Sequence, residues 1–233
     1  MTNVRQLHTG LAVAEERVAG APAVVLLHGF GKYHGHLLDL WPRSDMDWSV
    51  AAVRAGFRMG PAVYRWFGYE DLPDGSVAIA MEEERRSRAA LIAYLDEIRR
   101  DEPLFLFGHS QGGMMALSVA LLRPDLIAGC AVVNGRILPE TLALLPERPD
   151  LDGMPVFVGH GISDPVVKID KGRNARDLLE DMGAGLTYRE YRGGHDITPD
   201  MVADVVAWVR ITLAQGLGGR CRERPGIGSG SVL

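Results

Sequence analysis

The sequence predicts an α/β protein built on a mostly parallel sheet with helices on both faces. Strand-like apolar runs alternate with helix-like segments along most of the 233 residues, and this alternation is typical of parallel sheets. The runs at 23–27, 103–106 and 155–159 are apolar throughout, as strands buried on both faces require. We expect one domain over residues 1–215 and a flexible Gly/Ser/Arg-rich tail at 216–233.

Composition and charge argue against several classes of protein. Hydrophobic residues make up 47% of the chain, and the net charge is −5, so we expect a sizeable core and no nucleic-acid partner. No apolar run is long enough to span a membrane. The first ten residues lack the apolar segment of a signal peptide, which predicts a cytoplasmic protein. Two cysteines, Cys130 and Cys221, suggest neither a disulfide framework nor a metal cluster.

The first half of the chain holds three predicted strands and one predicted long helix. We expect strands at 11–18, 23–27 and 49–55, with a partly helical loop at 32–48. An aromatic loop at 56–68 could either pack on the surface or form a wall for an acyl chain, and the sequence leaves both open. Residues 75–100 are predicted to form a helix, because apolar residues recur there at helical spacing: Ala89, Ile92, Ala93, Leu95 and Ile98.

The second half of the chain continues the alternation of predicted strands and helices. The predicted order is a strand at 103–106, a helix at 114–122, strands at 127–133 and 155–159, a helix at 168–182, a strand at 186–191, and a last helix that ends near 213. Thr198 is the expected N-cap of that last helix, with Pro199 at its first position. The insert at 134–153 has room for a short helix at 141–145, and it is too small for a large lid.

The stretch Gly108-His109-Ser110-Gln111-Gly112 fits the nucleophile-elbow pattern G-x-S-x-G. A strand precedes it and a helix follows it, which is the context that this motif needs. The tight turn would expose the Ser110 hydroxyl above the sheet and place the Gln111 N–H at a helix N-terminus. Donors at that position can stabilise a developing oxyanion. A glycine-rich turn with a solvated serine is the alternative interpretation.

Asp164 and His195 are the predicted partners of Ser110. All three follow strand C-termini, where parallel sheets bind ligands, and they occur in the order Ser, Asp, His. A serine hydroxyl needs a base in contact to become a nucleophile. His195 would be that base, and Asp164 would orient it. Other acids compete for that role, namely Asp170, Asp196 and Asp200, and we favour Asp164.

A second oxyanion donor is expected in His28-Gly29-Phe30-Gly31, which follows the strand at 23–27. A turn of this type often supplies the second N–H, here that of Phe30. His28 and His160 are interpreted as structural. His34 and His36 are two residues apart but lack an evident third ligand, so we expect no metal site.

These motifs resemble the carboxylesterase/phospholipase branch of the α/β-hydrolases, which includes acyl-protein thioesterases. The matching pieces are Leu27 to Gly31, Arg65-Trp66-Phe67, Gly108 to Gly113, Gly161 to Val167, and Gly194 to Ile197. The resemblance implies an α/β-hydrolase fold with little or no lid. It maps the family's triad onto Ser110, Asp164 and His195, and its oxyanion donors onto Phe30 and Gln111. His109 stands where the family often has Phe, and Lys32 where it usually has an acidic residue.

The implied reaction is cofactor-free hydrolysis of a small ester or thioester with a short- to medium-chain acyl group. We expect Trp66 and His109 to lie beside the substrate, and a homodimer is possible. Without a lid, short soluble esters should be preferred over long lipids. Three alternatives stay open: a dienelactone-hydrolase-like enzyme, which normally has a Cys nucleophile; a peptidase, which usually carries a cap; and a catalytically silent binding protein.

Overall fold

The computed structural model describes residues 4–42, 48–73, 77–145, 147 and 149–216. Its strands are β1 Val4–Gln6, β2 Ala12–Glu16, β3 Ala23–Leu27, β4 Ser49–Arg54, β5 Phe57–Gly60, β6 Val63–Arg65, β7 Tyr69–Asp71, β8 Val77–Ile79, β9 Leu104–His109, β10 Gly129–Val133, β11 Pro155–Gly161 and β12 Gly185–Tyr191. Its α-helices are α1 Gly35–Leu38, α2 Met81–Ile98, α3 Gln111–Leu122, α4 Pro139–Leu142, α5 Ile169–Asp181 and α6 Pro199–Ala214.

Eight strands form the central sheet in the order β1-β2-β4-β3-β9-β10-β11-β12. The six strands from β4 to β12 in this order run parallel, while β1 and β2 are antiparallel to their neighbours. The sequence prediction of a mostly parallel α/β sheet is confirmed, and the architecture is that of an α/β-hydrolase. No helix in the described ranges is both long and apolar enough to cross a membrane.

The core is divided between the two faces of the sheet. Alternate residues of β3 illustrate the division: Val25 and Leu27 belong to one buried cluster, and Val24 and Leu26 to the other. The apolar faces of α2, α3 and α5 cover the first cluster. Residues of α1 and α6 cover the second. Burial on both faces explains why the central strands are continuously apolar.

The segment between β4 and α2 differs from its prediction. The helix predicted to begin at residue 75 begins at Met81, and residues 74–76 lie outside the described ranges. Val77–Ile79 instead forms β8, because its backbone pairs with β7 and β-branched side chains suit a strand. Most of the predicted loop at 56–68 is the β5–β6 hairpin.

The other element boundaries lie at or within a few residues of their predicted positions. The short helix predicted at 141–145 is Pro139–Leu142, and a proline is favoured in a first helical turn. The last helix begins at Pro199 as predicted, and the Thr198 side chain accepts a hydrogen bond from the Met201 N–H at 3.3 Å. Apart from Gly216, the predicted tail at 216–233 lies outside the described residues.

Candidate active site

Ser110 lies in a strained turn between β9 and α3. Its φ is +53°, which is an unfavourable value for a residue with a side chain. The flanking glycines explain how the turn closes. A Cβ on Gly108 would clash with the backbone of Gly112, and a Cβ on Gly112 would clash with the Leu27 carbonyl. The chain can therefore pass this close only without side chains at both positions.

The structure brings the three predicted residues Ser110, Asp164 and His195 into one hydrogen-bonded chain. The His195 Nε2 atom lies 2.8 Å from Ser110 Oγ. On the other side of the ring, Nδ1 lies 2.7 Å from Asp164 Oδ2. Ser110 and Asp164 are buried, whereas His195 is half-buried. A neutral imidazole with its proton on Nδ1 would donate to Asp164 and accept from the Ser110 hydroxyl.

The carboxylate of Asp164 is held in place by the backbone of its own loop. Oδ1 accepts hydrogen bonds from the N–H groups of Val166 at 2.8 Å and Val167 at 2.9 Å. This leaves Oδ2 directed at His195. The competing acids Asp170, Asp196 and Asp200 are exposed, and none of them is hydrogen-bonded to His195 within the described chain.

Asn134, a residue that the sequence did not reveal, anchors the loop that carries His195. Its amide Nδ2 donates to the His195 carbonyl at 2.9 Å, and its Oδ1 accepts from the Gly161 N–H at 2.9 Å. Asn134 is fully buried with φ +52°. The one available signal was its position directly after a buried strand, since asparagine tolerates this backbone conformation better than most residues.

His109, which we expect beside the substrate, lines the same cavity as Ser110. Its Nε2 lies 2.9 Å from the His195 carbonyl oxygen and its ring centroid lies 5.3 Å from that of His195. Burial lowers the pKa of His109 to about 3. The ring is therefore neutral at neutral pH, with its proton on Nε2 to donate to the carbonyl.

The backbone N–H groups of Phe30 and Gln111 are both available beside the serine. Neither donates to an acceptor within the described ranges. The turn that contains Phe30 packs directly on the elbow, because a Cβ on Gly29 would lie 3.4 Å from Ser110 Cβ. His28 is structural, as expected: its Nδ1 lies 2.8 Å from Gly29 O and its Nε2 accepts from the Ala55 N–H.

Trp66, which we expect beside the substrate, lies behind the cavity lining. Trp66 is fully buried and does not line the cavity, whereas its neighbour Phe67 does. The side chain of Gln111 fixes this arrangement, since its Oε1 accepts from the Trp66 N–H at 2.8 Å and its Nε2 donates to the Phe67 carbonyl at 2.7 Å. The Trp66 indole N–H donates a hydrogen bond to the His28 carbonyl, which holds the ring behind the residues that line the cavity.

Ser110, His109 and His195 open onto a cavity of about 520 Å³. The two hairpins between β4 and α2 supply one wall, through Phe67, Tyr69, Asp71, Val77 and Ile79. The elbow helix contributes Met114, and the loops after β10 and β11 contribute Arg136 and Val167. No cluster of three or more metal-ligating side chains occurs in the part of the chain that the structure describes.

Comparison with known proteins gives one consistent family. The sequence pattern of the phospholipase/carboxylesterase family matches residues 8–213. An acyl-protein thioesterase 1 from Gibberella zeae is 30% identical over 80% of this chain and 88% of its own. A probable inactive carboxylesterase from Oryza sativa subsp. japonica is 28% identical over 79% of this chain and 82% of its own. The Bacillus cereus carboxylesterase structure superposes with a TM-score of 0.71 at 23% identity, covering 86% of this chain and 94% of that one.

Proposed function

The chain belongs to the phospholipase/carboxylesterase family of α/β-hydrolases, and on that premise we propose that it hydrolyses carboxylic esters or thioesters through Ser110. Asp164 and His195 would complete a catalytic triad. The observation that carries the proposal is the continuous hydrogen-bonded chain from Asp164 through His195 to the Ser110 hydroxyl. A serine hydroxyl needs such a contacting base to act as a nucleophile.

The mechanism has two halves. Ser110 Oγ attacks the acyl carbonyl carbon while His195 Nε2 takes the serine proton, and Asp164 stabilises the imidazolium that forms. The N–H groups of Phe30 and Gln111 would donate to the oxyanion. When the tetrahedral intermediate collapses, the leaving alcohol or thiol takes the proton from His195. Water then gives a proton to His195 and attacks the acyl-enzyme. When this second tetrahedral intermediate collapses, His195 returns the proton to Ser110 Oγ, and the acid and free Ser110 are released.

The cavity supports a substrate of modest size. Its volume of about 520 Å³ lies in the lower half of the range for ligand pockets. Phe67, Met114 and Val167 offer an apolar lining for an acyl chain. We therefore propose that short- to medium-chain esters are hydrolysed more efficiently than long-chain lipids. In a p-nitrophenyl ester series, a catalytic efficiency that rose steadily to palmitate would contradict this preference.

The test of the reaction is intact mass spectrometry after treatment with a fluorophosphonate. Wild-type protein should gain a single adduct, and Ser110→Ala should gain none. Ser118→Ala is the matched control, because Ser118 is a buried serine on α3 that donates to the Met114 carbonyl and does not line the cavity; it should label like the wild type.

Absence of an adduct on folded wild-type protein would contradict the proposed function. It would favour instead a catalytically silent binding protein on the same fold. The name of the rice relative, a probable inactive carboxylesterase, makes this outcome worth testing directly.

A further inference from the structure

Arg136 is a half-buried cation in the cavity, and no residue of the described chain contacts its guanidinium as a partner. It lines the same cavity as Ser110, and its guanidinium makes no hydrogen bond or ion pair with any residue in the described ranges. Glu140, one turn further along the chain, interacts electrostatically with Arg136, but the two side chains do not form an ion pair. A buried guanidinium without a contacting anion is costly.

The other half-buried arginines of the described chain are all paired. Arg5, Arg65, Arg88, Arg99, Arg123 and Arg176 contact carboxylates, and Arg54 contacts the Gln6 amide oxygen and the Tyr64 ring. Each of these guanidinium groups therefore has at least one protein partner. Arg136 departs from this pattern, and it does so in the cavity that contains Ser110.

The position of Arg136 relative to the nucleophile follows from the residue before it. A Cβ on Gly135 would lie 3.3 Å from the Ser110 carbonyl oxygen, so this backbone packs against the elbow itself. Consecutive Cα atoms are about 3.8 Å apart, which places Arg136 next to the turn. A substrate that reaches Ser110 therefore passes within reach of a long arginine side chain.

We propose that the substrate carries a free carboxylate, which pairs with Arg136 while the ester carbonyl is attacked at Ser110. The planar guanidinium fork matches a carboxylate in a bidentate pair. This inference rests on the proposed function and specifies its substrate class. The carboxylate could belong to the acyl group, as in a half-ester of a dicarboxylic acid, or to the leaving alcohol.

The remaining charges of the cavity do not supply an equivalent contact. Lys32, Asp71 and Asp196 line the cavity but are exposed. Exposed charges act through water and are screened by salt. Of the cavity's lysine and arginine side chains, Arg136 is the one that is partly desolvated, and burial lowers the pKa of its guanidinium.

Two matched substrate pairs test the inference and locate the carboxylate. Monoethyl glutarate against ethyl valerate places the charge on the acyl side, and 4-acetoxybenzoate against p-tolyl acetate places it on the leaving group. We expect Arg136→Gln to lower the ratio of kcat/KM for the anionic ester to that for its neutral partner by about 10- to 100-fold in one pair. Arg136→Lys should retain part of the preference. Arg86→Gln, which removes an exposed arginine on α2, should leave the ratio as in the wild type.

The outcomes separate this inference from the proposed function. If both ester pairs are hydrolysed and Arg136→Gln changes neither ratio, the carboxylate inference is wrong while the esterase function stands. If no ester is hydrolysed and no fluorophosphonate adduct forms, the esterase function is wrong. Calorimetric binding of monoethyl glutarate and 4-acetoxybenzoate to Ser110→Ala tests the pairing of Arg136 with a carboxylate by itself, whatever the result with the esters: binding at least 10-fold weaker after adding Arg136→Gln supports the pairing, and equal or no binding overturns it.

Discussion

Asn134 links the two loops that must meet for His195 to contact Ser110. Its Oδ1 accepts from Gly161, at the end of the strand before the Asp164 loop, while its Nδ2 donates to the His195 carbonyl. His109 contacts the same carbonyl oxygen from the elbow side. The position of His195 is therefore set by two buried side chains as well as by Asp164, and small displacements of a reacting group can cost a large factor in rate.

Asn134→Asp should reduce activity while leaving the fold intact. The variant keeps an acceptor for the Gly161 N–H, and aspartate also tolerates positive φ. However, the substitution replaces the Nδ2 donor of Asn134 with a second carboxylate oxygen, which repels the His195 carbonyl oxygen. We expect kcat/KM on a p-nitrophenyl ester to fall on the order of 10- to 100-fold. Asn174→Asp, at an exposed position of α5, is the matched control. Wild-type kinetics in folded Asn134→Asp would show that this contact does not position His195.

At the residue scale, local motifs are what the sequence could predict. Ser110 was predicted because G-x-S-x-G occurs between a strand and a helix, and Asp164 and His195 because each follows a later strand. Trp66 was predicted beside the substrate, but aromatic content does not reveal which of two adjacent rings, Trp66 or Phe67, lines the cavity. That choice depends on hydrogen bonds from Gln111, about 45 residues away along the chain.

Glu83 connects the wall formed by the two hairpins to helix α2. Its carboxylate accepts two hydrogen bonds from Arg65, at 2.9 and 3.1 Å, and a third from the Gly68 N–H at 2.6 Å. Arg65 ends β6, and Gly68 lies between the two hairpins. One side chain therefore fixes the segment that presents Phe67 and Tyr69 to the cavity.

Glu83→Ala should loosen this wall. The loss leaves the Arg65 guanidinium and the Gly68 N–H without their acceptor, which costs about 1–3 kcal/mol. We expect faster amide hydrogen exchange over residues 57–72 and a higher KM. Glu82→Ala is the matched control, since Glu82 is an exposed acid on the same helix paired with Arg85 and Arg86. Equal exchange rates in the two variants would mean that Glu83 does not hold the wall.

The same segment shows where element prediction failed. The central strands were predicted well because continuous apolar runs are a strong signal for strands buried on both faces. β7 and β8 are three residues each and pair only with one another, so they carry neither clear alternation nor burial. The predicted helix was therefore extended backward from its true start at Met81 across β8. Short hairpins of this kind depend on tertiary contacts that a local pattern does not contain.

Parallel strands bring residues that are distant in the sequence to one edge of the molecule. Ser110 and His195 are 85 positions apart, yet they meet because β9 and β12 end on the same side of the sheet. This consequence of topology was predictable from the alternation of strands and helices. The charge that Arg136 places in the cavity was not predictable, because the exposure and pairing of this side chain depend on how separate loops pack.

The packing of this edge also makes the whole molecule sensitive to acid. His28 and His109 are both buried beside the elbow, and burial lowers their pKa values to about 4 and about 3. In the unfolded chain both titrate near 6.5. Between these values the unfolded state binds more protons than the folded state, so stability is present above about pH 6.5 and is lost as the pH falls towards the folded-state pKa values.

His109→Gln should therefore flatten the pH dependence of stability. For a histidine with a folded-state pKa of about 3, the linkage between pH 7 and pH 5 amounts to about 2 kcal/mol of unfolding free energy. Over this pH range we expect the wild type to lose about 2 kcal/mol more unfolding free energy than His109→Gln. Urea unfolding at each pH measures this difference. His8→Gln removes an exposed imidazole and serves as the control, with a slope like that of the wild type. If His109→Gln and the wild type lose equal stability between pH 7 and pH 5, His109 takes up a proton in the folded state over this range, and the buried ring is more accessible to water than its position indicates.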